Sequence, residues 1–300
     1  MGKDKKGNKP MKRKGFLQKS ALGIFATMSH QHTLFSESQT NEKSKRFFIG
    51  ACDWSISNTS NLGAMEMAKE IGLDGVQLSL GLKANNMHLR RKDVQEAYKS
   101  LAKIFKVGFT GLGIGELNNY PFKSDPQTDQ WVADSIQVAK EFNIKVVLIA
   151  FFNQGDLKND SKGQDAVIQK FKDIMPIAEK AGVTLGIESW LSAEEHMHII
   201  DTVGSSNLKV YYDVANSEKM GYNIYEEIKW LGKKNQICEF HFKENDALLG
   251  QGKVDFQRVK NCIDEIGYSG AIQIEGAVPP GKTMLESYLK NNRFVRDLVS

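Results

Sequence analysis

The sequence predicts an α/β protein folded as a single (β/α)8 TIM barrel, and three observations support this prediction. From Phe47 onward, short β-rich runs alternate with amphipathic stretches, a pattern typical of βα units and a parallel sheet. There are eight β-rich runs within about 250 residues, which is the usual size of such a barrel. Several amphipathic stretches end in glycine or asparagine directly before the next run, as helices that end at a left-handed residue do.

The predicted strands follow one another without a linker-like stretch between them. In chain order they cover residues 47–55, 75–80, 108–115, 145–151, 183–189, 209–214, 237–242 and 271–276. Helical patterns lie between them, for example over residues 61–72, 128–143, 166–182 and 254–267. A doubly wound sheet is the competing architecture, but no G-x-G-x-x-G follows the first strand, so its usual dinucleotide motif is missing. Residues 47–300 are therefore predicted to form one domain.

The first 46 residues differ in character from the rest of the chain. From Met11, a cationic start is followed by a short apolar run over residues 21–28 and then by polar residues, which is the order of a secretory signal. The stretch RKGFL at residues 13–17 resembles a weakened twin-arginine signal. The apolar run is short and lacks a clean A-x-A cleavage site. We expect export to the periplasm, and the alternative is a cytoplasmic protein with a solvated basic tail.

Charge and cysteine content exclude several classes of function. Residues 1–46 carry 11 Lys/Arg against 3 Asp/Glu, which leaves 29 against 33 in residues 47–300 and a net charge of −4 there. Nucleic-acid binding by this part is not expected, because phosphate binding needs a basic surface. No run approaches the roughly 18 apolar residues of a membrane span. The three cysteines, Cys52, Cys238 and Cys262, have no C-x-x-C spacing and are predicted to be small core residues.

Ionisable residues stand at the ends of the last four predicted strands: Glu188, Asp213, His241 and Glu275. Reactive groups of a barrel lie at the C-terminal ends of its strands, and consecutive parallel strands are neighbours, so we expect these side chains to meet at one mouth. Three carboxylates buried there without a cation would be costly. A divalent ion such as Mn²⁺, Co²⁺, Mg²⁺ or Zn²⁺ suits three oxygens and one imidazole nitrogen. The alternative is that each acid caps a neighbouring helix or pairs with a lysine.

Five stretches that include these residues occur in an order shared with one enzyme superfamily. They are GIESW around Glu188, YYDVANS around Asp213, FHFKE around His241, LGQGKVDF at 249–256 and GYSGAIQIE at 267–275. Together they resemble the xylose isomerase-like TIM barrel superfamily of sugar isomerases and epimerases, over nearly all of residues 47–300. The resemblance implies that the three acids and the histidine bind one catalytic divalent metal ion. In the ketose 3-epimerase branch, the resemblance further implies that Glu188 and Glu275 transfer the substrate proton.

Two positions depart from patterns that are common in this superfamily. Asn216 stands where many relatives have a histidine after the sixth-strand aspartate, and this Asp-x-x-Asn resembles the branch of L-ribulose- and L-xylulose-5-phosphate 3-epimerases. Gln77 stands on the second strand where relatives often have a glutamate, which weakens any assignment of substrate contacts there.

Several other residues near the predicted strand ends are assigned to substrate binding: Trp54, Trp190, Asn216 and Lys243. Side chains alternate along a strand, so Lys243 shares a face with His241 and is expected to hold a glutamate or to bind a substrate hydroxyl or phosphate. Each tryptophan either stacks on a sugar ring or packs in the core. The GQG at residues 250–252 is either a phosphate-binding turn or an ordinary loop.

The sequence thus predicts a divalent-metal-dependent epimerase or isomerase that acts on a ketose or sugar derivative. Glu188 and Glu275 would remove and return a proton next to the carbonyl, through a metal-stabilised enediolate. The same residues would equally serve a keto-sugar dehydratase or lyase. A third alternative is an exported sugar-binding barrel without turnover. The expected partner is a small sugar, and the sequence leaves open whether the chain forms a homo-oligomer.

Overall fold

The protein is described here by a computed structural model that covers residues 45–300, so the predicted leader lies outside the described residues except for its last two positions. In this part of the chain, eight parallel strands close into a barrel in sequence order. They are β1 (Phe47–Cys52), β2 (Gly75–Ser79), β3 (Gly108–Ile114), β4 (Val146–Phe151), β5 (Thr184–Ser189), β6 (Leu208–Asp213), β7 (Ile237–Phe242) and β8 (Gly270–Ile274). The predicted (β/α)8 barrel is confirmed.

Helices surround the strands, and Arg46–Ser300 form one compact unit. The α-helices of the described residues are α1 (Ala64–Ile71), α2 (Lys92–Phe105), α3 (Gln127–Glu141), α4 (Ser161–Ala181), α5 (Ala193–Val203), α6 (Val214–Lys219), α7 (Ile224–Lys233), α8 (Phe256–Glu265) and α9 (Met284–Val299). None of these helices combines the length and the apolar character that a membrane crossing requires. Gly72 and Gly182 follow α1 and α4 with φ of 83° and 66°, the left-handed ends that the sequence predicts.

The observed strand boundaries lie close to the predicted ones, and the largest difference is at the first strand. It ends at Cys52 rather than at residue 55, because the backbone N–H groups of Ser55 and Ile56 fold back to donate to the Cys52 carbonyl. This turn places Asp53 and Trp54 at the mouth of the barrel instead of within the sheet. The side chain of Trp54 can then reach across to the end of β8.

Side chains alternate along β7, so that apolar residues pack against the helices and polar residues face the barrel interior. Phe240 and Phe242 point outward, where the Phe242 ring packs 5.1 Å from that of Phe256 on α8. Glu239 and His241 point into the barrel and are buried. The opposed faces predicted from a period of two are confirmed for these four residues.

The barrel interior beneath the C-terminal mouth contains polar side chains. Gln77, Glu239 and Gln273 are all buried there, and the Tyr211 hydroxyl donates to Gln77 Oε1 at 3.3 Å. Gly50 leaves space for this layer, since a Cβ at that position would lie 2.1 Å from Gln273 Oε1. Burial raises the pKa of Glu239 to about 8, so its carboxyl group carries a proton at neutral pH and adds no charge below the site.

Candidate metal centre and active site

The four ionisable strand-end residues meet at the C-terminal mouth of the barrel. Glu188 lies in β5, Asp213 is the last residue of β6, His241 lies in β7 and Glu275 directly follows β8. Asp213 and His241 are partners in the register of neighbouring strands. Each residue offers one oxygen or nitrogen atom, and these four atoms all lie within 4.8 Å of one another. The parallel barrel therefore gathers side chains that are far apart in the sequence, as the strand-end pattern predicts.

Hydrogen bonds and ion pairs hold this cluster together. His241 Nδ1 lies 2.9 Å from Glu188 Oε1 and 3.6 Å from Glu275 Oε2. Lys243 Nζ donates to Glu275 Oε2 at 2.8 Å and lies 3.6 Å from Asp213 Oδ2. The predicted face of Lys243 thus points to the cluster, where the lysine holds one of the glutamates.

The two carboxylate oxygens of Asp213 have different environments. Oδ1 accepts hydrogen bonds from the backbone N–H groups of Ala215 and Asn216, both at 2.9 Å, and so caps α6. Oδ2 is buried and accepts no hydrogen bond. Helix capping, the alternative explanation for this acid, therefore accounts for one oxygen and leaves the other facing the cluster.

Burial and mutual repulsion shift the pKa values of these groups. Burial raises the pKa of Glu188 to about 7 and raises that of Asp213, because a charge is poorly solvated there. Burial would also raise the pKa of Glu275, but Lys243 and His241 lower it to about 2. Burial would lower the pKa of His241, yet the Cys52 thiol and the carboxylates raise it well above its usual value.

A divalent cation fits this donor set. Three carboxylates and one imidazole are suitable ligands for Mn²⁺, Co²⁺, Mg²⁺ or Zn²⁺. The buried Asp213 Oδ2 has no hydrogen-bond partner to displace, and a dipositive charge would favour the ionised form of every carboxylate in the group. Cys52 is close enough to join His241 and Glu275 in a second, overlapping group. Burial raises the pKa of its thiol to about 12, so without a metal ion the thiol keeps its proton at neutral pH.

Gln77 supports His241 from below, a role that the sequence did not indicate. Its Oε1 lies 3.0 Å from His241 Nε2, on the opposite side of the ring from Glu188. Because an amide oxygen accepts but does not donate, Gln77 favours a proton on Nε2 and leaves Nδ1 turned to the carboxylates. Cys52 Sγ also approaches His241 Nε2, at 3.3 Å. Cys52 is buried as predicted, but it lies against the site as well as in the core.

Trp54 holds Glu275 through its indole N–H. Nε1 donates to Glu275 Oε1 at 2.7 Å, while the ring lines the cavity above the cluster. Gly113 on β3 permits this position, since a Cβ there would lie 2.9 Å from the Trp54 ring. The sequence predicted either sugar stacking or core packing for Trp54, and it did not predict this hydrogen bond.

A cavity of about 430 Å³ opens directly above the four residues. Trp190, Asn216 and Lys243 line it, as their assignment to substrate binding requires. Its remaining walls come largely from the end of β2 and from the loops after β2, β3 and β4: Ser79, Leu82, Glu116, Asn118 and Phe152. Those loops contributed no residues to the predicted site, although Glu116 directly follows the third predicted strand.

Two buried groups at the mouth fix the loops from within. Asp53, fully buried, accepts hydrogen bonds from the backbone N–H and the hydroxyl of Ser79 at 2.8 and 2.6 Å. His196 on α5 is 5% exposed, whereas His198 on the same helix is exposed. The His196 ring lies 2.9 Å from both Ser189 Oγ and the Ser192 carbonyl, so it ties the end of β5 to α5. Of these two histidines, only His196 lies on the inner face of the helix.

A sequence profile of the xylose isomerase-like TIM barrel family matches residues 65–296. The chain belongs to this family. Among curated members, the L-ribulose-5-phosphate 3-epimerase of Salmonella heidelberg is 23% identical over 242 residues, 71% of this chain and 81% of that protein. The D-psicose 3-epimerase of Enterocloster bolteae is 25% identical over 138 residues, 43% of this chain and 45% of its own length. An uncharacterized protein of Methanocaldococcus jannaschii matches over 62% of its length. The chain therefore spans less than two thirds of the length of this protein and of the D-psicose 3-epimerase.

Several solved structures share the same fold. The D-psicose 3-epimerase of Clostridium cellulolyticum H10, solved with D-tagatose, superposes with a TM-score of 0.71 at 16% identity, over 84% of this chain and 99% of that one. The 3-keto-D-glucoside 4-epimerase of E. coli superposes with a TM-score of 0.69 at 13% identity, again over 84% and 99%. These two sugar epimerases thus share the barrel fold of this chain.

Proposed function

We propose that this protein is a divalent-metal-dependent epimerase of a ketose or a keto-sugar derivative. The observation that carries the proposal is the convergence of Glu188, Asp213, His241 and Glu275 beneath a cavity of sugar-binding size. Relatives named as epimerases of psicose, ribulose 5-phosphate and a 3-keto-glucoside support the same class of reaction.

The two glutamates are suited to move a proton. They come from β5 and β8, two strands separated by β6 and β7, and both carboxylates line the cavity. One removes the proton next to the substrate carbonyl and the other returns a proton to the opposite face, which inverts that carbon. Lys243 and Trp54 keep the Glu275 carboxylate in place during this exchange. A divalent ion held by the four residues would supply Lewis acidity at the substrate carbonyl.

Solvent exchange tests this function directly. Ketoses and keto-glucosides are incubated with metal-loaded protein in D₂O, and NMR follows deuterium at the carbon next to the carbonyl. We expect deuterium in both epimers, and a fall of roughly 10²- to 10⁴-fold in Glu188→Gln and Glu275→Gln with sugar binding retained.

Three other outcomes would contradict parts of the proposal. Release of water or of an aglycone from the same substrates would identify a dehydratase or a lyase. Unchanged exchange in Glu275→Gln would reject the role given to that glutamate. Sugar binding without exchange or elimination for every substrate would leave a binding protein.

A further inference from the structure

The loop after β7 is the place where barrels often bind a phosphate group, through free backbone N–H groups and a helix N-terminus. In this chain the loop contains the glycines of residues 250–252, which the sequence left as either a phosphate-binding turn or an ordinary loop. The names of the relatives do not decide the matter, because they include both a free ketose and a sugar phosphate.

An internal carboxylate fills this loop. Glu244 Oε1 accepts the backbone N–H of Val254 at 3.0 Å, and Oε2 accepts that of Lys253 at 3.2 Å. A Cβ at Gly252 would lie 2.1 Å from Glu244 Oε2, so the carboxylate sits directly against the glycine backbone. Glu244 is only 5% exposed. The donors that a phosphate would need are therefore bonded to the protein itself.

The neighbouring helix N-termini are capped in the same way. Asp255 accepts the backbone N–H of Arg258 at 3.0 Å at the start of α8. Thr283 accepts that of Glu286 at 3.3 Å at the start of α9. The helices that follow β7 and β8 thus present their own side-chain oxygens where an anion would bind.

The charges around the cavity are also unfavourable for an anion. Among the described residues that line it, Lys243 is the one Lys or Arg, and its ammonium group is bonded to Glu275 and lies 3.6 Å from Asp213. Glu116 adds a further acid to the lining. A second cavity beside the β7 loop, of about 690 Å³, has three acids facing three lysines: Glu218, Glu244 and Asp246 with Lys219, Lys243 and Lys253. Neither cavity offers a net positive charge to a phosphate.

The opposite wall of the main cavity is apolar. Leu148 and Ala150 line it from β4, next to Phe152 and Trp190, whose rings pack edge to face at 5.3 Å. Such a surface suits the C–H face of a neutral sugar, which buries apolar area against an aromatic ring.

From these contacts we propose that the substrate is a neutral ketose or keto-sugar without a phosphate group, an inference that rests on the epimerase function proposed above. Glu244 and the helix caps occupy the groups that would bind phosphate. The cavity above the cluster accepts the hydroxyls and the C–H face of the sugar.

Matched pairs of substrates test this inference. D-Psicose, D-fructose and L-ribulose are each compared with their terminal phosphate esters, in the D₂O exchange assay and in equilibrium binding to the metal-loaded protein. We expect each free ketose to have a kcat/KM and an affinity at least about tenfold above those of its ester. Equal or better use of the esters would overturn the inference.

The binding measurement separates the two proposals. If no sugar exchanges deuterium but free ketoses still bind more tightly than their esters, the epimerase function fails and the preference for a neutral ligand stands. If exchange occurs and the esters are preferred, the function stands and the neutral-substrate inference fails. Binding of neither form overturns both.

Variants of the β7 loop test the cause of the preference, with inorganic phosphate as the probe. Glu244→Ala frees the loop N–H groups, and we expect phosphate to raise the Tm of this variant more than that of the wild type. Glu218→Ala removes a neighbouring acid that bonds none of these N–H groups, and should behave as the wild type. Glu244→Gln keeps one acceptor oxygen but removes the negative charge and frees one N–H group, so it provides a second variant if the alanine form is unstable, and its ester-to-free activity ratio should rise. An equal phosphate effect in wild type and both Glu244 variants would contradict the assignment.

Discussion

At the scale of single residues, Glu275 depends on two neighbours for its position. Trp54 donates to one carboxylate oxygen at 2.7 Å and Lys243 to the other at 2.8 Å. Hydrogen bonds to a charged group typically contribute about 1.5 to 3 kcal/mol. The tryptophan is therefore a positioning residue for the proposed proton transfer, beyond the wall it gives the cavity.

Replacing Trp54 by phenylalanine should separate these two contributions. Trp54→Phe keeps an aromatic wall but loses the N–H donor, so we expect kcat to fall roughly 10- to 100-fold with little change in Tm. Steady-state kinetics and thermal unfolding provide the measurement. Trp190→Phe is the matched control, because Trp190 also lines the cavity and has no hydrogen bond to the cluster, and it should change KM more than kcat. An unaltered kcat in Trp54→Phe would show that the N–H group has no such role.

Gln77 is the second residue whose contribution lies in holding another side chain. Removing its amide in Gln77→Leu would leave His241 Nε2 and the Tyr211 hydroxyl without this acceptor in a buried layer. We expect a loss of about 1 to 3 kcal/mol in stability and a 10- to 100-fold loss in metal affinity, measured by denaturant unfolding and chelator competition.

Gln273→Leu is the control for this variant. Gln273 is equally buried on β8, but it accepts its hydrogen bond from Thr110 and not from the cluster. It should lower stability while leaving metal affinity within about twofold of the wild type. Equal metal affinity in both leucine variants would refute the positioning role of Gln77.

At the scale of elements, the junction between β5 and α5 carries a pH-sensitive contact. His196 on α5 is buried between Ser189 and Ser192. Burial lowers its pKa to about 4, because the charged ring would be poorly solvated there. The unfolded chain, with a pKa near 6.5, binds the proton more readily. This histidine therefore stabilises the fold above about pH 6.5, and the contribution is lost as the pH falls towards 4.

Unfolding measured as a function of pH checks this contact. Between pH 7 and pH 4.5 the wild type should lose about 2 to 3 kcal/mol more stability than His196→Gln, which cannot take up the proton. His198→Gln on the exposed face of the same helix should keep the wild-type pH dependence. The same pH profile in the wild type and in His196→Gln would contradict the account.

At the scale of the whole molecule, the fold and the four-residue cluster could both be predicted from sequence. Alternation of strands and helices fixes the barrel, and the barrel alone brings together strand ends that are far apart in the chain. It was harder to predict the roles of Gln77, Asp53 and Trp54, because these roles depend on which side chain faces each residue across the barrel. A glutamine in a β-rich run looks the same whether it contacts solvent, substrate or a histidine.

Glu244 illustrates the same limit in a loop. Its sequence context, a strand followed by GQG, permits either a phosphate-binding turn or a closed loop. The outcome depends on whether a carboxylate eight residues before Gly252 folds back onto that glycine's neighbours. Such long-range contacts within loops leave no periodic signal in the sequence.

The most direct test of the account is the metal content and affinity of the wild type compared with Asp213→Asn. Asparagine keeps the oxygen that caps α6 and replaces the unbonded Oδ2 with an amide group that cannot bind a cation. Elemental analysis and chelator competition should find one divalent ion per chain in the wild type and an affinity lower by more than about 100-fold in the variant, with Tm preserved in the absence of metal. A wild type that takes up no stoichiometric ion, or an asparagine variant that binds it equally well, would contradict the central claim.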